Sequence, residues 1–361
     1  MSEKKIKVIQ IGKLVASYNV PMYSMINEKV DYTYAYTNKC EVADTPFKTI
    51  HLKCFRIGRF IYIKSLRKLL KQYDVVISST HLALFNTKLL FFLPHKYKIV
   101  SWSIGLQIDY NRKYDLDRKP DWKDKYTRWF QEKCDACIIY SKAPIDYWEK
   151  NGGLTKEKYF VAHNTVKVAD FNSLPDFSER KNLLFVGTLY AQKGLDELID
   201  AYSLARKKSS NLPTLVIIGK GPEEEQIRAQ IKQNYLDTNI ILVGPVYDEV
   251  RLKDYFFSSL LCISPKQAGL SVQKSLGYGT PFVTRPDAIT GGERFDIIDG
   301  ENGFFYNNID ELANIIIESI NSPEKIRKMC NNAYAYYQKY ATPEIMVKGV
   351  IDAIVYALNK K

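Results

Sequence analysis

Residues 262–284 limit what this chain can fold into more than any other stretch. They read C-I-S-P-K-Q-A-G-L-S-V-Q-K-S-L-G-Y-G-T-P-F-V-T. An apolar run at 260–263 is followed by a tight loop with Pro265 and Gly269, and a helical pattern opens near Leu270. Gly279 and Pro281 stop that helix, since glycine accepts the left-handed backbone of a helix end and proline has no N–H to continue it. Residues 282–284 then read as a second strand. Strand, loop, helix and strand in so short a span make a crossover of a parallel α/β sheet. Its loop leaves backbone N–H groups free at a helix N-terminus, which suits a phosphate; the same unit also serves as plain scaffold in many sheets.

The alternation recurs on both sides. Residues 6–11, 31–36, 47–51, 74–78, 99–102 and 135–140 read as strands of a first α/β pattern, and 182–186, 214–218 and 240–243 as strands of a second. Between them, 174–181 (L-P-D-F-S-E-R-K) is polar with a proline and reads as a linker. The expected domains are therefore 1–175 and 176–342, with a last helix in 343–361. A chain of 361 residues can supply a core to each.

No apolar run approaches the ~20 residues needed to cross a bilayer. The start is charged and runs straight into a strand, unlike a secretory signal, so a cytoplasmic location is expected. Cys134 and Cys137 form a lone C-x-x-C with no second pair or histidine cluster, and buried reduced thiols are the expectation. The net charge of +12 is concentrated: residues 53–71 hold seven basic side chains (Lys53, Arg56, Arg59, Lys64, Arg67, Lys68, Lys71) and no acid. On a helix drawn from Tyr62, Ile63, Leu66, Leu69, Leu70 and Tyr73 share one face and the bases take the other. Such a helix is either an ordinary solvated one or a dock for an anionic membrane surface. No nucleic-acid motif accompanies the charge, and no nucleic-acid partner is expected. Residues 107–125 are polar and read as a mobile surface loop.

Taken in order, five segments resemble the family-4 retaining glycosyltransferases. The pattern E-x-F-G-L-x-x-x-E-A-x-A-x-G-x-P-V-V of that family is matched by Gly269-Leu270, Gly279-Thr280-Pro281 and Val283, with Lys266 and Lys274 standing where its two glutamates would be. Its V-G-R-x-x-x-x-K-G is matched by Gly187 and Lys193-Gly194, with Thr188 in place of the arginine. Gly219-Lys220-Gly221-Pro222, Gly244-Pro245-Val246, and Gly291-Gly292-Glu293 with Gly300 to Phe304 follow in the family's order. The match is good over 134–358 and weak over 1–133.

The resemblance implies the GT-B architecture: α/β, two facing Rossmann-like domains, with a C-terminal helix crossing back to the first. It implies transfer of a sugar with retention, from a nucleotide-sugar to a saccharide acceptor, lipid-linked, in cell-surface polysaccharide assembly. No metal and no other cofactor is implied. Donor binding falls to Gly187, Thr188, Lys193, Gly219, Val246, Lys266, Gly269, Leu270, Ser271 and Lys274. Lys193, Lys274 and Glu293 are the catalytic candidates, with Lys266 or Lys274 expected to replace the missing arginine charge. Glu293 reads equally as a ribose ligand or as a helix N-terminal acid. Acceptor candidates lie at strand ends of the first domain: Gly12, His81 and Ser103, where His81 reads also as a structural hydrogen-bonder and Ser103 stands in for a family histidine. The lost acids, arginine and histidine also fit a relative that has given up catalysis and acts as a binding or scaffold protein.

Overall fold

The computed structural model describes residues 5–107 and 115–360. They form two compact units, the first comprising 5–107, 116–164 and 343–360, the second 115 and 165–342.

In the first unit β1 (Lys7–Val15), α1 (Val20–Lys29), β2 (Asp31–Cys40) and β3 (Lys48–His51) are followed by a hairpin of β4 (Cys54–Ile57) and β5 (Phe60–Ile63) and the short α2 (Leu66–Leu70). Then come β6 (Val75–Ser78), β7 (Lys98–Ser103), α3 (Trp122–Lys133), β8 (Ala136–Ile139), α4 (Ala143–Lys150) and β9 (Tyr159–Val161). The parallel sheet runs β3-β2-β1-β6-β7-β8-β9.

Successive residues of a strand point to opposite faces, and the cores divide accordingly. Val8, Val75, Ile77 and Ile138 enter one cluster, while Ile9, Val76, Cys137 and Ile139 enter the other. The first cluster also holds Met22 and Ile26 of α1 and Met346, Val350 and Ile354 of the last helix, so the C-terminal helix packs on the N-terminal sheet.

The second unit holds β10 (Asn182–Val186), α5 (Leu195–Lys208), β11 (Thr214–Ile218), α6 (Glu224–Gln233), β12 (Ile240–Gly244), α7 (Glu249–Phe257), β13 (Ser259–Ile263) and β14 (Gln267–Ala268). These lead to α8 (Leu270–Gly277), β15 (Phe282–Thr284), β16 (Ile289–Thr290), β17 (Gly303–Phe305), α9 (Ile309–Asn321) and α10 (Pro323–Tyr336); α11 (Pro343–Asn359) is the helix in the first unit. Its parallel sheet runs β12-β11-β10-β13-β15-β17. The stretch 262–284 is thus the crossover from β13 through α8 to its neighbour β15.

Three sequence expectations change. The units divide after Asn164, so the expected boundary at 175 falls inside the second unit. The polar segment is no free linker, because buried Arg180 donates to the carbonyls of Phe256, Ser259 and Tyr278. The helix drawn from Tyr62 is shorter: Tyr62 and Ile63 end a hairpin turned at Gly58 (φ +56°), and only Leu66–Leu70 is helical. Asn86 accepts from Ile63 N–H and donates to Ile63 C=O, fixing that residue as extended. Residues 108–114 lie outside the described residues. Of the rest of the expected surface loop, Trp122 onward is α3, capped by Asp121 and Asp124, and Arg118 pairs with Asp124 at 2.5 Å.

Candidate functional site

The loops after β10, β11 and β12 leave the carboxyl edge of the second sheet, where open α/β sheets bind their ligands. Hydrogen bonds join these loops: Gly187 N–H to Ile218 O, Leu189 N–H to Lys220 O and Gly219 N–H to Gly244 O. Gly219 has φ +149°, and a Cβ there would stand 1.8 Å from Gly187 O, so only glycine lets the two loops touch. A cavity of about 700 Å³ opens between them, lined by Gly187, Thr188, Gly219, Lys220, Glu224, Val246 and Tyr247 among others.

Lys193 runs alongside. Its Nζ lies 3.4 Å from where a Cβ on Gly187 would be and 5.8 Å from the centre of the Tyr190 ring. Only 8% of the residue is exposed. Burial brings its pKa down to about 8, against the opposing influence of Cys262 and Glu293. Lys193 is not on the cavity wall but sits behind Gly187, which is, and a largely desolvated ammonium there gains more from an anion than a surface lysine does. Glu293 is buried and accepts from Thr290 Oγ1 (3.1 Å) and Gly291 N–H (2.7 Å), which orders the turn and leaves its charge within reach of Lys193.

The two lysines of the 262–284 stretch go elsewhere. Lys266 Nζ lies 3.4 Å from Asp196 and 3.7 Å from Glu197, at the start of α5. Lys274 Nζ lies 2.6 Å from Glu249, whose other oxygen accepts from Tyr278 OH at 2.6 Å. Both charges are neutralised, and neither residue lines the cavity. In this structure the lysine on the cavity wall is exposed Lys220, in the G-K-G-P turn, while Lys266 and Lys274, expected to replace the missing arginine, are held in these ion pairs. Glu224, opening α6 just after that turn, and Glu249 were not among the sequence candidates. Gly269 is the N-cap of α8, Leu270 its first residue, and Ser271 Oγ in its first turn is buried with no hydrogen-bond partner among the described residues.

In the first unit the corresponding edge is crowded. A Cβ on Gly12 would lie 2.0 Å from Tyr34 OH, which donates to Leu14 O, so Gly12 makes room for a tyrosine. His81 Nδ1 accepts from Ala83 N–H, and its Nε2 faces Lys13 Nζ at 3.4 Å. Lost hydration, Lys13 and Lys88 hold its pKa below the ordinary histidine value, favouring the neutral ring. Ser103 Oγ accepts from Gly105 N–H and Gln131 Nε2. Cys134 and Cys137 are buried free thiols, with burial pushing their pKa values up. Among the described residues no helix is long and apolar enough to cross a membrane.

The family model "Glycosyl transferases group 1" matches residues 167–336. An uncharacterized glycosyltransferase of Haemophilus influenzae is 26% identical over 229 residues, 60% of this chain and 61% of that one. The poly(glycerol-phosphate) alpha-glucosyltransferase of Bacillus subtilis is 26% identical over 245 residues, 66% of this chain and 35% of that one. The chain thus covers about a third to three-fifths of these curated relatives. The crystal structure of HepE from Anabaena in complex with UDP superposes with a TM-score of 0.70 at 15% identity, covering 97% of this chain and all of that one, and shares the two-domain GT-B fold. The family match spans nearly the whole second unit, glycine loops and Lys193 included.

Proposed function

We propose that this chain is a glycosyltransferase that takes a hexose from a nucleotide-sugar, with the nucleotide in the cavity at the carboxyl edge of the second sheet. The observation that carries the reading is the juxtaposition of that 700 Å³ cavity, floored by glycine loops, with desolvated Lys193. UDP is the first nucleotide to test, since HepE was crystallised with it. The acceptor is a saccharide, lipid-linked, in surface-polysaccharide assembly, reached at an anionic membrane through the 53–71 region. The alpha-glucosyltransferase among the relatives supports retention.

In this reading the C1–O bond to the diphosphate breaks and the acceptor oxygen takes its place on the same face. The departing phosphate oxygen receives the acceptor's proton. Lys193 and Lys220 balance the charge that grows on the diphosphate, which is where electrostatic catalysis acts most strongly. Water at the lip is displaced by the nucleotide, strengthening those contacts. No protein base is required, in keeping with a His81 held by its neighbours and a Ser103 whose oxygen is already engaged. The step uses no metal.

A thermal-shift panel of UDP, GDP, ADP and CMP on wild type and Lys193→Ala tests the site. A nucleotide at 100 times its dissociation constant adds ~2.7 kcal/mol of stability. Stabilisation of wild type by one nucleotide, reduced in the variant, is the expected result; silence with all four would sink the reading. A second reading, a relative that binds without transferring, draws on the ion pairs that hold Lys266 and Lys274. Nucleotide binding with neither transfer to added saccharides nor hydrolysis of the nucleotide-sugar would favour it.

A further inference from the structure

A second cavity, of about 630 Å³, lies in the first unit between the end of α2 and the turn before β7. Arg67, Lys71, His95 and Lys96 line it with Tyr73 and Tyr97, and no carboxylate of the described residues stands on its wall. Arg67 reaches the carbonyl of Pro94 at 3.5 Å, and His95 stacks on Tyr97 with centroids 4.8 Å apart. Arg67 and His95 are thus tied to the turn, while Lys71 and Lys96 are exposed at the rim. A concave site with such a wall selects an anion with several oxygens, such as a phosphate ester.

The turn carrying the site continues directly from an apolar ridge. Phe92 is 67% exposed, and Leu89 and Leu93 about two-fifths exposed beside it. Phe92 stacks on Trp129 of α3, which is itself 39% exposed (centroids 6.3 Å). Free phosphate or a soluble sugar phosphate would leave that ridge in water. A bilayer of anionic phospholipid satisfies both features at once, apolar side chains entering the acyl boundary and bases meeting headgroups.

We infer that the ridge of Leu89, Phe92, Leu93 and Trp129 inserts into an anionic phospholipid surface while the Arg67–Lys71–Lys96 pocket takes a headgroup phosphate. This deepens the membrane part of the proposed function and rests on it, but places the anchor at the pocket and ridge rather than on the bases of the β4–β5 hairpin.

The test is co-sedimentation of the full chain with phosphatidylcholine vesicles, with and without phosphatidylglycerol. Wild type is expected to pellet with the anionic vesicles only. Arg67→Gln/Lys71→Gln/Lys96→Gln should weaken that binding about 100-fold, since each base near a charged surface is worth roughly fivefold. Phe92→Ser should weaken it severalfold, and the blue shift of tryptophan emission on vesicles should vanish in Trp129→Phe. Equal or greater loss in the hairpin variant Arg56→Gln/Arg59→Gln, or no binding by wild type, would overturn the inference. So would unchanged binding by the pocket variant. The nucleotide thermal shift of the pocket variant reads the donor site separately. Vesicle binding without any nucleotide response would leave this dock standing and sink the glycosyltransferase reading.

Discussion

The two sheets of this protein are built alike and finished differently. Each is parallel, with crossover helices on both faces and strands whose alternate residues feed two cores. At the carboxyl edge of the second, glycine loops lie close together and a cavity opens beside Lys193. At the same edge of the first, Tyr34 fills the space that Gly12 leaves. Each unit also buries lysine, Lys193 in the second and Lys88 and Lys158 in the first. Lys88 is 5% exposed; its Nζ donates to Ser79 O and lies 4.2 Å from the centre of the Phe130 ring, and burial brings its pKa down to about 7. Lys193 has a cavity within reach, Lys88 a carbonyl and a ring. A low lysine pKa by itself marks burial; the open volume beside it is what turns burial into a candidate for catalysis.

The hardest blow to this contrast would come from exchanging the lysines' roles. Lys193→Ala should lower kcat/KM for the nucleotide-sugar by 10²–10³-fold, about 3–4 kcal/mol of transition-state stabilisation. Lys88→Met should leave turnover within a few-fold in steady-state kinetics. An equal loss in a folded Lys88→Met would break the comparison.

The glycines offer a second contrast. Gly219→Ala forces a side chain into φ +149° and onto the backbone of Gly187, and should cost about 2–3 kcal/mol in denaturant unfolding along with the nucleotide response. Gly12→Ala meets only the end of a tyrosine side chain and should cost about half as much.

The pH dependence sharpens the lysine comparison. Lys193 has a folded pKa of about 8, below its ordinary 10.5. Between those values the unfolded chain holds the extra proton, so stability rises with pH across that window. Nucleotide affinity runs the other way: it should fall about tenfold per pH unit above about 8 as the ammonium is lost, and Lys193→Arg should abolish the fall. Lys88 should add to the rise of stability from about pH 7 but leave the affinity profile untouched.

The smallest effect concerns the stretch 262–284. Lys274→Ala should change nucleotide binding by less than tenfold, and a double-mutant cycle with Glu249→Ala should return a coupling of about 1 kcal/mol or less. A loss as deep as that of Lys193→Ala would put Lys274 back in the site.

Much of this was legible beforehand where the cause is local. The strand at 259–263, the helix from Leu270 and the strand at 282–284 follow from apolar runs with glycine and proline between them, and the helix starts where Gly269 ends the loop. Lys193 and the glycines at 187 and 219 came with the resemblance, and the structure sets all three at or beside one cavity. Tyr62 and Ile63 were read into a helix because F-I-Y-I carries enough apolar residues for either period; the Asn86 contacts that hold Ile63 extended at the end of the hairpin lie 23 residues away.

The sequence by itself determined the alternation of strands and helices, the turns that demand glycine and the position of Lys193 after its strand. These depend on backbone preferences and side-chain periods that act over a few residues. Only the tertiary structure decided where the long charged side chains end. Lys266 finds Asp196 seventy residues earlier, and Lys274 finds Glu249 twenty-five residues earlier. A lysine's flexible stem lets its charge go to whichever carboxylate the packed helices bring within reach.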